Sequence, residues 1–462
     1  MKNSKNSTTI FNILSTVVLQ GLAFFTGPIF SAALGTSNYG VVTTYVAWVQ
    51  VASIVFSLQA AGTLSVARVN YPLEDQPKFQ SSVLSLATIA YFAFSAATVV
   101  VVILIRKWLD INLLMVIAGL LHGWGLYCVG FVNGKYTYEF KADRNFILSV
   151  TVSVLTIGLS LLLIRWMPKE VNYWGRILGQ AVVYSLVGSV LFIGILRSGK
   201  TVYSKEYWLF TLPIALPTVF HALANIVLHQ SDKVMLQSMV SNSAVGIYAL
   251  ACTFSGVLNT LWSALNNSWV PFYYEYTRTE QLGEMKKHAR NYIELFTILT
   301  MGFMLLAREV FHFYADETFW SGTDYIPLFC IGYYFIFLYS FPVNFEFYHK
   351  KTKMIAVGTT CAAVANLVLN FVLIRAFGAV GAVFATVAAY GLQCIFHMVC
   401  AKRIKEDAFP FKSADLLPGL LAVVGTYALY MFTRDLWLIR WGFGAVLGVY
   451  LLVKIIKRKE IF

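Results

Sequence analysis

Charge is scarce in this chain. Only 12% of its 462 residues are Asp, Glu, Lys or Arg, about half the share a soluble domain carries. Long hydrophilic segments are missing as well: no stretch between apolar runs is much longer than about 17 residues, which leaves no room for a soluble catalytic domain. No Walker-type or other Gly-rich phosphate loop occurs, which argues against ATP hydrolysis on this chain. Cysteine is limited to six residues, Cys128, Cys252, Cys330, Cys361, Cys394 and Cys400. All lie inside or at the edges of apolar runs without paired loop spacing, so neither a disulfide framework nor a metal site is indicated.

What the chain has instead is apolar bulk: 58% hydrophobic and 16% aromatic residues, with a mean hydropathy of +0.68. Apolar runs of roughly 18 to 25 residues recur from end to end, each long enough to cross a hydrocarbon core of about 30 Å as a helix. The first run follows Lys2 and Lys5. It is too long for a signal segment and has no small-residue cleavage pattern, so it reads as a retained first membrane helix. The expected fold is an all-α polytopic membrane protein.

Fourteen spans are expected, roughly 10–34, 40–62, 80–105, 111–134, 146–165, 174–196, 208–235, 243–270, 291–314, 324–347, 354–375, 380–400, 415–433 and 437–455. Basic residues test the number, because short cytoplasmic loops collect them. With both termini inside, 25 of the 35 Lys and Arg residues fall on the inner side. The net charge of +13 is therefore a topology signal rather than a nucleic-acid footprint.

A weak internal repeat lies beneath the span order. Residues 34–58 can be laid within 240–265 at a constant offset of 206 (246 − 40), matching Gly40 to Gly246, Ser53 to Asn259 and Ser57 to Ser263. The displacement is six spans, an even number, so the copies share one orientation, about an axis along the membrane normal. Two six-helix lobes follow, 1–200 and 201–406, with two additional helices in 407–462.

Polar side chains at membrane depth should face protein or a wet cavity. On the seventh span Thr218, His221, Asn225, His229 and Asp232 are spaced 3, 4, 4 and 3, which puts them in one arc of about 80° on a helix. The eighth span offers Ser255, Asn259, Ser263 and Asn266, the second Thr43, Gln50, Ser53 and Ser57, and the first Asn12, Ser15 and Thr16. These stripes fit either interhelical hydrogen bonding or a solvated cavity, and their concentration on equivalent spans of both halves favours the cavity. Pro28, Pro213 and Pro217 permit bends in the same helices.

Ionisable residues at depth are few. Glu294 and Arg308 share a helix face but stand about 21 Å apart. Glu346 precedes Lys350 by four residues, the spacing of an ion pair at a helix end. Asp232 lies about 36 Å along the seventh helix from Trp208, at the outer rim. Lys233, 100° further round, is expected to serve a different contact. Asp232, Glu294, His221 and Thr26, the repeat counterpart of Asp232, are the coupling or gate candidates.

Two stretches carry a family resemblance: SDKVMLQSMVSNSAVGIYALA (231–251) and YHKKTKMIAVGTTCAAVANLVLNFVLIRAFGAVGAVFATVAAYG (348–391). The first has an aspartate-basic pair, a small-residue turn and a Gly-Ile-Tyr helix start. The second has Lys351-Thr352-Lys353, Asn366, Asn370, Gly378, Gly381-Ala382 and Ala385-Thr386. They resemble the polysaccharide-exporting branch of the multidrug/oligosaccharidyl-lipid/polysaccharide superfamily, which contains the O-antigen (Wzx-type) flippases. The resemblance implies a bacterial cytoplasmic membrane protein with both termini inside. It would move polyprenyl-pyrophosphate-linked glycan to the outer leaflet by alternating access, without a cofactor. Polysaccharide polymerase and glycosyltransferases are the implied partners.

For that cargo Asn12, Ser15, Gln50, Ser53, Ser57, Thr218, His221, Asn225, His229, Asn259, Ser263 and Asn266 are the expected cavity lining. Arg68, Lys233 and Arg308 are the expected pyrophosphate cations. The alternatives are a cation-coupled small-molecule exporter of the same superfamily and an O-antigen polymerase-type enzyme. The short outer loops and the absence of any D-x-D motif weigh against the enzyme.

Overall fold

The computed structural model describes residues 2–109, 111–404 and 409–458, with the side chains of residues 1–20, 23, 107, 109, 455, 457 and 458 outside the described ones. Among the described residues every regular element is a helix. The helices are α1 (Lys2–Phe56), α2 (Leu64–Asn70), α3 (Gln76–Leu109), α4 (Leu113–Tyr138), α5 (Ala142–Trp166), α6 (Tyr173–Gly199), α7 (Lys205–Met239), α8 (Asn242–Ser255) and α9 (Val257–Arg278). They continue as α10 (Leu282–Tyr314), α11 (Ile326–Tyr348), α12 (Thr352–Phe377), α13 (Ala379–Lys402), α14 (Ser413–Phe432) and α15 (Trp437–Arg458). Short 3₁₀ segments cover Ala60–Thr63 and Glu317–Tyr325.

Twelve helical segments among the described residues are long and apolar enough to cross a membrane. The sequence leads one to expect fourteen; the first of the twelve, Phe24–Phe56, runs across the kink at Gly35 that divides the first two expected spans, and α10, the ninth expected span, is not among the twelve. The chain is thus an all-α, multi-pass membrane protein.

The breaks between helices follow from single residues. Gly35 has a φ of 69° and divides α1 into two limbs, a left-handed conformation that costs glycine no Cβ clash. The repeat places Ser241 at the same register (35 + 206). Ser241 is extended and its Oγ accepts the Ala244 N–H at 3.1 Å, capping α8. The two copies turn at one position by different chemistry.

Their second helices then diverge. In the first copy the helix stops at Phe56, short of the expected residue 62, because Leu58 and Gln59 adopt φ values of 56° and 48°. In the second copy the interruption is at Gly256, and α9 runs on to Arg278.

The chain forms two compact units, 1–234 and 235–462. In lipid, apolar contact between helices gains little from the hydrophobic effect, so close van der Waals packing through small residues holds them together. In the first unit α4 meets α6 where Gly125 lies against the Tyr184 carbonyl and Gly188, leaving no room for a Cβ. Phe79, Tyr91, Cys128 and Phe131 complete its sealed core. In the second unit Gly381 lets α13 approach the Leu373 carbonyl of α12. Trp269, Tyr292, Phe296, Phe337 and Phe341 make one aromatic cluster, and α14 and α15 pack on α10.

A polar staple closes the loop after α4. Lys141 Nζ donates to Glu139 Oε2 at 2.6 Å, Gln80 donates to Oε1 at 3.3 Å, and Lys135 stands at 3.9 Å. Burial alone would raise the Glu139 carboxyl, but Lys141, Lys135 and Gln80 together hold it below the usual carboxylate range.

Candidate functional site

Helix α7 stays helical through Pro213 and Pro217, so the 3, 4, 4, 3 spacing of its polar residues does place them on one face. The stripe is partly self-satisfied. Thr218 Oγ1 donates to the Ala215 carbonyl at 2.7 Å. Asn225 Nδ2 donates to the His221 carbonyl at 3.2 Å and stands 3.3 Å from His221 Nε2. His221 and His229 are exposed, while Thr218 and Asn225 are half-buried.

At the far end of the stripe Asp232 is buried at 4% exposure. Its Oδ1 accepts the Lys233 backbone N–H at 2.8 Å, whereas Lys233 Nζ donates to Gln230 Oε1 at 2.6 Å. The two charged side chains therefore serve different contacts, as their 100° separation requires.

The other stripes are shorter. Just past the end of α1, Ser57 Oγ donates back to the Ser53 carbonyl at 2.6 Å, while on α1 Thr43 Oγ1 donates to the Tyr39 carbonyl at 2.8 Å and Gln50 is half-buried. Such back-bonding to the helix's own carbonyls is the packing use of Ser and Thr. The side chains of Asn12 and Ser15 lie outside the described ones, and Thr26 is half-buried. The eighth-span stripe is split by Gly256. Ser255 ends α8 and donates to the Ala251 carbonyl at 2.8 Å, while Asn259 and Ser263 sit half-buried on α9. Asn266 Oδ1 accepts from Asn344 Nδ2 of α11 at 3.2 Å.

The charged candidates separate into two groups. Arg68, in the last turn of α2, is half-buried. Arg308 donates to the Arg434 carbonyl at 2.6 Å and to Asp435 Oδ1 at 3.0 Å, in the turn joining α14 to α15. Glu294 accepts the Tyr450 hydroxyl at 2.7 Å and pairs with Lys454, both on α15. Glu309 pairs with the buried Arg440 of the same helix. The spacing on α10 correctly gave Glu294 and Arg308 one face, and the final helices occupy that face.

One expectation is overturned. Lys350 has a φ of 58° beyond the end of α11, so it leaves the helix surface on which an i,i+4 pair with Glu346 depends. Glu346 turns inward instead. His397 Nδ1 of α13 lies 2.8 Å from its Oε2 and 3.0 Å from its Oε1, with both side chains 0% exposed.

The sequence reading also missed His122. It is buried at 3% exposure on α4, with Nδ1 3.2 Å from the Tyr45 hydroxyl and its ring 4.8 Å from that of Tyr184. Nearby, Arg176 covers the Phe30 ring at 3.8 Å and donates to Ser160 Oγ at 3.2 Å. The available signal was a lone titratable residue well inside an apolar run.

Asn366 and Asn370 are fully buried on α12, with Asn370 Nδ2 donating to Asn366 Oδ1 at 2.9 Å. Among the described residues no three His, Cys, Asp or Glu side chains converge as metal ligands. The arrangement supplies neutral hydrogen-bonding groups along α7 and α9, and paired charges on other helices.

A family model described as "Polysaccharide biosynthesis protein" matches residues 7–276. Among curated proteins the chain is similar to "Lsg locus putative protein 1" of Haemophilus influenzae, 23% identical over 368 residues, which cover 74% of this chain and 85% of the relative. Among solved structures it is similar to the lipid II flippase MurJ in an inward closed conformation, with a TM-score of 0.69 at 14% identity over 98% of both chains. It is also similar to the MATE multidrug transporter DinF-BH, with a TM-score of 0.57 at 15% identity over 89% of this chain and 97% of that one. At such identities the structural likeness speaks for the fold alone.

Proposed function

This chain belongs to the polysaccharide biosynthesis protein family, and from that premise we propose that it is a flippase for polyprenyl-pyrophosphate-linked oligosaccharide. The cargo is an O-antigen or related surface polysaccharide unit, carried from the cytoplasmic to the outer leaflet of the bacterial inner membrane by alternating access. The proposal includes lobes 1–200 and 201–406, the added helices in 407–462, and cytoplasmic termini.

The observation that carries it is the unbroken polar face of α7, whose Thr218, His221 and Asn225 are neutral hydrogen-bonding groups on a helix long enough to span a bilayer. A hydrated glycan is recognised by such groups, while its lipid tail remains in the bilayer. Asn12, Ser15, Gln50, Ser53, Ser57, His229, Asn259, Ser263 and Asn266 line the same path in this reading. With Arg308 tied to the α14–α15 turn, Arg68 and Lys233 are left to steer the diphosphate, and Asp232 and Thr26 to gate.

The test is the fate of lipid-linked glycan in a deletion strain. Accumulation on the cytoplasmic leaflet supports the flippase, whereas normal flipping with unpolymerised units outside assigns the chain to polymerisation instead.

A further inference from the structure

In the second unit α10 and α14 flank a cavity of about 380 Å³. Lys286 and Arg290 stand on its rim, one helical turn apart on α10 and both exposed. Two like charges at i,i+4 repel, so their neighbours matter. The carboxylates on the same wall are engaged elsewhere: Glu294 with Tyr450 and Lys454, and Asp415 with the Lys412 backbone N–H at 2.8 Å. Among the described residues neither Lys286 nor Arg290 makes an ion pair, whereas their neighbour Lys287 reaches Glu284 Oε2 at 3.5 Å.

Above the cations the wall turns apolar, with Ile293, Ile298 and Pro418. Ile298 lies about 12 Å along α10 from Arg290, in the apolar stretch of that helix. A free anion would need the two cations but not this wall.

We propose that the cavity is a binding site for an anionic phospholipid, its phosphate held by Lys286 and Arg290 and an acyl chain lying along Ile293, Ile298 and Pro418. The guanidinium supplies a planar, two-pronged donor to phosphate oxygens, and the ammonium supplies a mobile point charge. Clustered Lys and Arg at the edge of a membrane helix attract the anionic leaflet in this way.

The test measures lipid retention by the full chain after purification in mild detergent. The probes are phosphatidylglycerol, phosphatidylcholine of the same acyl chains, and inorganic phosphate. The expected result is that wild type retains phosphatidylglycerol over phosphatidylcholine, with affinity falling about fivefold for K286A or R290A and about thirtyfold for the double variant. K287A, whose lysine already has a carboxylate partner, keeps wild-type affinity. Equal retention of phosphatidylcholine by wild type would overturn the proposal, as would equal retention of phosphatidylglycerol by the double variant. Inorganic phosphate binding as tightly as the lipid would overturn it in favour of a free-anion site. No arm uses transport, so the result stands apart from the flippase reading.

Discussion

Glu346 of α11 and His397 of α13 meet inside the second unit with Nδ1 2.8 Å from Oε2 and no exposed surface on either side chain. The imidazole packs directly against Gly358 of α12, where a Cβ would strike its Nε2 edge. Tyr339 approaches its ring edge-on at 5.1 Å. Three helices are thereby locked around one polar contact in an otherwise apolar setting.

The pair predicts an asymmetric response to substitution. Removing one partner strands the other without water, so E346A or H397A is expected to cost about 3 kcal/mol or more. E346Q keeps an acceptor for the imidazole and should cost about half as much. Thermal unfolding of the purified protein in one detergent checks this, and melting temperatures indistinguishable from wild type in both alanine variants would remove the pair's structural role.

The acid sensitivity of the α4–α5 loop follows from Glu139. Its folded-state carboxyl is held below the ordinary range, so the stabilisation is fully present above the ordinary carboxylate pKa and is lost as pH falls through the lowered one. With Lys141 43% exposed, the contribution is discounted for screening to roughly 1 kcal/mol. E139Q is expected to lose that roughly 1 kcal/mol at neutral pH, to converge with wild type below the lowered carboxylate pKa, and so to flatten the acid limb of the stability profile. An unchanged acid limb would mean that the staple carries no such linkage.

Much of the fold was legible because membrane helices advertise themselves by length and hydropathy. The order of the twelve apolar helical segments and the division of α1 between the first two expected spans were readable in that way. So was the divergence of Asp232 from Lys233, which depends only on helical geometry within one element. Partners across elements were not readable. Nothing local says that Glu346 turns to His397, 51 residues away, rather than to Lys350, because the end of α11 at Tyr348 decides it. Nor does the spacing on α10 reveal that α15 answers Glu294 and Glu309.

The polar face of α7 predicts a functional loss without a folding loss. Asn225 is half-buried and, among the described residues, bonds within its own helix turn, so N225L leaves packing intact while removing two hydrogen-bonding atoms from the stripe. Surface polysaccharide should fall at least tenfold, about 1.4 kcal/mol in the transport barrier, at unchanged membrane abundance. Wild-type polysaccharide in N225L and H221L together would take these residues out of the cargo path.

Arg440 predicts which role the last two helices play. Buried at 1% exposure, it donates to the Leu305 carbonyl at 2.9 Å, to the Thr433 carbonyl at 3.2 Å and to both oxygens of Glu309. A lysine ammonium on a flexible stem cannot span carbonyls on two helices and a two-pronged carboxylate contact at once. R440K should therefore behave much like R440A, each costing about 3 kcal/mol. The double variant E309Q/R440Q, which leaves no stranded charge, should recover part of that loss. Protease protection of the α14–α15 segment in reconstituted vesicles reads the same equilibrium locally. If R440K protects as wild type does, the guanidinium geometry is not what fastens α15 to α10, and the remaining ties through Glu294 and Arg308 carry the attachment.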